Sequence, residues 1–358
     1  MVSRVQTVLG CINASELGHT LTHEHLGMDF QHFYRKPPSK IKDKFEQHQL
    51  DNIGFIRQYP YSSRYNLVLN DDAAEKAIKK DLYLYKKCGG GTIVENSTHG
   101  LNRNIEFYKE VSEYSGVHVV AGTGFYIADL QADDTLHSTQ EEMYELMLKE
   151  ITEGCVDYPD VKAGFLGEIA SVWPIKDFER RALRAAGEVQ EQAGCGVSLH
   201  PHRDRAAPAA AARIYLEAGG RADKLVMSHL DRTLQDVEGL LEFAELGTYC
   251  QFDLFGTEVS YYQLCPDVDM PSDAQRLEMV RQLVNEGKTD RVLMSHDIHT
   301  KHRLIAYGGH GYSHIINNIL PRMKSKGFSQ KIIDRITIEN PAEWLSMNKG
   351  VVKGVQKE

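Results

Sequence analysis

Residues 19–26 read HTLTHEHL. The β-branched and apolar residues predict a strand. Side chains two apart in a strand share a face, so His23 and His25 point the same way. An H-x-H pair alone is more often a surface accident or a pair of satisfied core histidines than a pair of metal ligands. The rest of the chain changes that weight.

Seven further short runs of the same kind follow: Gly91–Ser97 (GTIVENS), Gly116–Phe125 (GVHVVAGTGF), Val161–Ile169 (VKAGFLGEI), Gly196–His202 (GVSLHPH), Leu225–Leu230 (LVMSHL), Thr248–Phe255 (TYCQFDLF) and Arg291–Asp297 (RVLMSHD). Near-continuous apolar strands suit a sheet covered on both faces. Amphipathic stretches separate them. Asp71 is placed to cap a helix carrying Ala74, Ile78 and Tyr85 on one face, with Gly89 as its stop. Phe178, Ala182, Ala185 and Val189 mark a second helix, ended by Gly194. Leu234, Val237, Leu241 and Ala244 mark a third, ended by Gly247. Eight strand–helix units predict an α/β fold, a (β/α)8 TIM barrel. A doubly wound open sheet is the alternative, but no G-x-G-x-x-G turn follows the first strand.

The stretch from Gln31 to Leu69 breaks the rhythm. A loop that long, after strand one of a barrel, lies at the active-site face and is read as a lid or an insertion. One metallohydrolase domain is predicted over residues 1–348, with a polar tail over 349–358.

The chain has 358 residues, 42% hydrophobic and 25% charged, with a formal net charge of -9. That is a globular balance with no electrostatic reason to seek nucleic acid or an anionic membrane. The start lacks the pattern of a signal peptide, and no run is apolar enough to span a bilayer. The six cysteines form no C-x-x-C pair. These features predict reduced thiols and a cytoplasmic location. The expected partner is a small-molecule substrate, and a homodimer is allowed.

The titratable residues fall at strand ends: Glu168 on the fourth, His200 on the fifth, His229 on the sixth, Asp297 on the eighth. The C-terminal strand ends build the active site of such barrels. Buried polar groups at successive ends are costly unless something compensates them. Two divalent metal ions held by His23, His25, Glu168, His200, His229 and Asp297 would do so. Four imidazoles and two carboxylates suit Zn²⁺ first, with Mn²⁺, Co²⁺ or Fe²⁺ as alternatives. Unrelated hydrogen-bonded histidines would have to explain five strand ends at once. A close metal pair supports hydrolysis by a shared hydroxide. Glu168 would bridge the ions. Asp297 would ligate one and carry the nucleophile's proton to the leaving group.

Several segments resemble the phosphotriesterase family of the amidohydrolase superfamily: GHTLTHEHL (18–26), GGGTIVENST (89–98), GTGFY (122–126), GEI (167–169), MSHLDRT (227–233), FDLFGTE (252–258), SHDIHTK (295–301), YGGHGYSHI (307–315) and ENP-x-x-WL (339–345). They cover nearly the whole chain. The resemblance implies a binuclear site with His23, His25 and Asp297 on the more buried ion and His200 with His229 on the more exposed one. Glu168 stands where phosphotriesterases proper carry a bridging carboxylated lysine. Arg232 stands near their further acidic relay residue, which counts against phosphotriester hydrolysis. One animal branch of the family is regarded as hydrolysing N-acetyltaurine to taurine and acetate. A small N-acyl amide with an anionic end needs a cationic anchor. Arg232 is the first candidate, then Arg203, Lys301 and Arg303; each is otherwise a structural ion pair. Tyr126, Phe255 and His302 are candidates for the pocket wall, each equally readable as packing. His310, Tyr312 and His314 share the loop after strand eight with His302. His99 and His202 fit no ligand position and are read as structural. A lactonase or phosphotriesterase is the competing enzyme reading, and a metal-binding scaffold without activity the third.

Overall fold

The computed structural model describes residues 3–45 and 48–347. Its centre is an eight-stranded parallel sheet: β1 (His19–Glu24), β2 (Gly90–Glu95), β3 (His118–Thr123), β4 (Phe165–Ala170), β5 (Gly196–His200), β6 (Leu225–Met227), β7 (Tyr249–Phe252) and β8 (Val292–Met294). Neighbours in sequence are neighbours in the sheet. At the seam between β8 and β1, the Asp297 amide donates to the His23 carbonyl (3.0 Å) and the His23 amide to Ser295 Oγ (3.0 Å). The barrel predicted from the sequence is the fold found. A hairpin, Arg4–Thr7 against Gly10–Asn13, precedes it and was not foreseen.

Strand alternation fills the barrel in layers. Val94, Val120, Phe165, Val226, Tyr249 and Leu293 form the apolar lower layer, packed on Val5, Leu17 and Trp344. Two residues beyond Gly196, Val226, Tyr249 and Leu293 come Ser198, Ser228, Gln251 and Ser295. Their side chains bond one another or the first strand: Ser198 to Ser228 at 3.2 Å, Gln251 to Ser228 at 3.0 Å, Ser295 to the His23 carbonyl at 2.9 Å. Two residues further again lie His200, Asp253 and Asp297. On β5, β7 and β8 the steps of two therefore lead through a serine or glutamine to a titratable group.

Helices cover the outside. Asp71 caps the helix Asp72–Lys87 through the Ala74 amide (2.8 Å). Gly194 ends Asp177–Ala193 in the left-handed conformation, and Phe178, Ala182, Ala185 and Val189 are buried on its inner face. The third predicted helix is found as Val237–Ala244, with Leu234 lying before its start. Leu230–Thr233 forms a separate single turn, and Asp236 caps the helix. The Asp236 carboxylate accepting the Gly239 amide supplies that start.

Predicted strands six and eight are trimmed at their ends. His229 and Asp297 have φ of +59° and +54°, so the backbone turns out of the sheet where the site begins. The insertion returns along itself, with the Phe30 amide bonded to the Leu67 carbonyl and the Leu69 amide to that of Met28. The tail 349–358 and the domain limit at 348 lie outside the described residues. All six cysteines are free. Among the described residues, no helix is long and apolar enough to cross a membrane.

Candidate metal centre and substrate pocket

Six residues predicted from the sequence converge at the C-terminal mouth of the barrel. His25 Nε2 lies 3.2 Å from Asp297 Oδ1, and His23 Nε2 lies 3.7 Å from the same oxygen. His200 Nδ1 lies 2.7 Å from Glu168 Oε2 and 2.9 Å from His229 Nε2. His23–His25–Asp297 and Glu168–His200–His229 are thus two groups, each able to hold one cation. Glu168 stands between them, with its oxygens 3.3 Å from His23 Nε2 and 3.7 Å from His25 Nε2.

Glu168 reaches that position because Gly167 precedes it. Gly167 has φ +143°, and a Cβ there would meet the Ser198 backbone oxygen and side chain at 2.8 Å. Only glycine fits.

The remaining nitrogen of each first-strand imidazole is held from behind. His25 Nδ1 meets Ser97 Oγ (2.9 Å), whose hydroxyl donates to Glu95 (2.7 Å). His23 Nδ1 lies 3.1 Å from Asp253 Oδ2, and His229 Nδ1 lies 2.7 Å from Asp253 Oδ1. Such partners fix ring orientation and leave Nε2 toward the cation space. Sequence reasoning missed Asp253. Its signal was present: an acidic residue ending strand seven in TYCQFDLF. Glu24, between the two histidines, turns the other way and accepts from the Ser295 hydroxyl and the His296 and Ile298 amides (2.8, 2.8 and 2.9 Å). It ties the end of β1 to the turn that carries Asp297.

Burial opposes charge on Glu168, yet the hydrogen bond with His200 and the positive charge held on His23 overrule it and keep its carboxyl well below the usual range. Burial is likewise overruled at Asp297, by His299 and His25. Burial pushes the His200 imidazole down to about 3 and lowers His229, so both are neutral, as ligands must be. At His23, Glu168 and Asp253 outweigh burial and hold the imidazole well above its usual range. The carboxylates therefore draw positive charge into the space between the two groups. His23 Nε2 is buried without a hydrogen-bond partner. An orphaned imidazole nitrogen beside ionised carboxylates and neutral imidazoles fits a divalent cation.

Above this cluster lies a narrow cavity. Its wall includes Arg203, Arg232 and Arg303, with Phe30, Tyr61, Tyr126, Tyr262 and His299. The Tyr126 ring centre stands 5.3 Å from that of His200. Arg203 donates from Nε and Nη2 to the Tyr262 hydroxyl (3.0 and 2.7 Å). Arg232 donates to Thr233 Oγ1 (3.2 Å) and the Pro201 carbonyl (3.3 Å). His299 bridges Asp297 Oδ2 (3.1 Å) and the Tyr61 hydroxyl (3.1 Å).

Three sequence candidates are placed elsewhere. Phe255 is fully buried, with the Arg276 guanidinium 6.0 Å from its ring centre, and it is its neighbour Leu254 that lines the cavity. His302 faces Asn66 and an outer cavity. Lys301 is buried away from the pocket, bonded to the Tyr65 carbonyl and Asp71. Of the loop after β8, His310 lines the outer cavity, Tyr312 donates to the His25 carbonyl (2.8 Å) and His314 meets Asp273 (2.8 Å). His299 and Arg303, from the same segment, line the pocket instead. His99 lies 3.3 Å from Glu150, and His202 accepts from the Asp204 amide (3.1 Å).

The phosphotriesterase family model matches residues 3–345. The chain belongs to the phosphotriesterase family. Members are hydrolases that depend on a pair of divalent metals, and this chain is a metal-dependent hydrolase of that kind. The phosphotriesterase-related protein of Drosophila mojavensis is 56% identical over 349 residues, covering 97% of this chain and all of that one. Among solved structures, a resiniferatoxin-binding protein from Rhodobacter sphaeroides superposes with a TM-score of 0.91 at 27% identity, covering 96% of this chain and 95% of that one. A mutant phosphotriesterase-like lactonase from Deinococcus radiodurans gives 0.74 at 26% identity, covering 95% and 99%. The likeness to this family spans the strand ends that carry all six residues of the cluster.

Proposed function

We propose that this hydrolase cleaves a small N-acyl amide with an anionic end, N-acetyltaurine to taurine and acetate being the substrate favoured. One observation carries the reading. Three guanidiniums, those of buried Arg232 and Arg303 and of half-buried Arg203, line the cavity over the acid–imidazole cluster, and no carboxylate among the described residues lies within ion-pair distance of any of them. Buried positive charge without a partner is costly. A sulfonate or carboxylate brought by the substrate would compensate it.

His23, His25, Glu168, His200, His229 and Asp297 are proposed to hold two divalent ions, Zn²⁺ by the balance of imidazole and carboxylate. When bound, such a pair lowers the pKa of water and polarises the substrate carbonyl. The protein's own groups do the rest. The guanidiniums hold the anionic end and so fix the distance from anion to acyl carbon. Tyr126 and Tyr61 wall the acyl group and exclude bulk water. Asp297 accepts the proton of the attacking water and returns it to the nitrogen as the C–N bond breaks. The His299 contact at Oδ2 orients that carboxylate. Water is consumed; acetate and the free amine leave.

The competing reading is a lactonase or phosphotriesterase, as the Deinococcus relative's name suggests. It gives the three arginines nothing to bind. Side-by-side kcat/KM values for N-acetyltaurine, an acyl-homoserine lactone and paraoxon decide between them. Arg232→Ala and Arg203→Ala should each raise KM for N-acetyltaurine by about tenfold to a hundredfold, the loss of one charge-assisted hydrogen bond. An unchanged KM in both would contradict the anchor.

A further inference from the structure

A second cavity, of about 250 Å³, abuts the catalytic pocket. Tyr61, Tyr262, Met270 and Arg303 line both and form the partition between them. Three of the four are tied by hydrogen bonds to the site itself. The Tyr61 hydroxyl meets His299 Nε2, the Tyr262 hydroxyl accepts from Arg203, and Arg303 Nη1 donates to the His296 and Asp297 carbonyls (3.2 and 2.6 Å). The Met270 side chain has no polar anchor. Only its backbone is fixed, through its amide to the Ser260 carbonyl (2.8 Å). A thioether chain with three rotatable bonds fills a gap and moves at small cost. Met270 is the part of the wall that can be shifted or trimmed without uncoupling the pocket.

The space behind it mixes polar groups with an apolar wall. His310 Nε2 and Thr257 Oγ1 line it and are buried without hydrogen-bond partners. Arg57 lines it with no carboxylate in ion-pair range among the described residues. Glu258 is the acid in the wall, and its Oε1 already accepts from the Asp273 amide (3.0 Å). The His310 Nδ1 faces the Gly311 carbonyl, so its Nε2 is an acceptor, and the exposed Arg57 guanidinium and the Thr257 hydroxyl are the groups here that can receive an anion.

We infer that Met270 sets the upper size of the amine half, and that the outer cavity is a second subsite for an anionic extension of that half. The chemical class is an N-acylated acidic amino acid, its side-chain carboxylate reaching past residue 270 toward Arg57. The inference rests on the anionic-amide reading above.

The experiment uses the full chain loaded with zinc. It compares kcat/KM for N-acetyltaurine and N-acetylglutamate in the parent and in Met270→Ala, and the calorimetric affinity for the product amines taurine and glutamate. Removing the thioether should raise the glutamate-to-taurine ratio about tenfold or more in both readouts, the scale set by one or two methylenes in a pocket. Adding Arg57→Ala should take back most of that gain. Ratios within about twofold of the parent, in a variant with unchanged melting temperature and metal content, overturn the gate. Should Met270→Ala melt early, Met270→Val carries the same comparison. If the metal-loaded parent hydrolyses no anionic N-acyl amide, the reaction assignment fails on its own, and the product affinities still decide the gate.

Discussion

Single residues carry the site's geometry, and two of them never touch the cation space. Gly167 lets the chain pass under Ser198 and present Glu168 between the two ligand groups. Gly167→Ala should displace that carboxylate and cut bound metal from two equivalents toward one, read by metal analysis, with activity falling at least about a hundredfold. Asp253 holds His23 and His229 by their Nδ1 atoms. Asp253→Asn keeps the shape but removes the charge, and metal affinity should fall about 10- to 100-fold. Asp81 offers a test by pH. Burial pushes its carboxyl up to about 6 from 3.8, although it accepts the Ile305 amide. A raised folded value means that the protonated form favours folding. That contribution is complete below about pH 4 and is lost as pH rises through 6. Asp81→Asn should therefore stabilise the protein at pH 8 by up to about 3 kcal/mol and leave it level with the parent at pH 4. Equal differences in urea midpoint at both pH values would contradict this.

At the scale of elements, one carboxylate joins a barrel helix to the insertion. Asp71 caps Asp72–Lys87 with Oδ1 and pairs with the buried Lys301 through Oδ2, while Lys301 Nζ also donates to the Tyr65 carbonyl. Asp71→Ala loses the cap and strands a buried ammonium, about 2–4 kcal/mol together. Asp71→Ser restores the cap alone and should recover about 1 kcal/mol of it, read from chemical denaturation. Because Tyr65 lies four residues from Tyr61, Asp71→Ala should also loosen the pocket wall and raise KM.

What the sequence disclosed divides along the same line. Strand-end residues such as His200 and Asp297 were legible because a period of two and a glycine- or polar-marked stop place them. Tyr61 and Tyr262 were not, since long loops return to the pocket by paths that have no period. His299 was within reach, two residues past Asp297, but the positive φ at Asp297 hides which way the chain goes next. His302, five residues past Asp297, lines the outer cavity instead, and Phe255 is buried while Leu254 beside it lines the pocket.

For the whole molecule, the barrel separates stability from chemistry. The lower layer around Phe165 and Trp344 is apolar and fully buried, and Phe165→Ala should cost about 3–5 kcal/mol. The upper layer spends that stability on orphaned nitrogens and unpaired guanidiniums. The central claim is that six distant side chains grip two cations across Glu168. Anomalous diffraction from a crystal grown with zinc tests it most directly. The account predicts two peaks, one against His23, His25 and Asp297 and one against His200 and His229, with Glu168 touching both. A single peak, or peaks away from these groups, would contradict it.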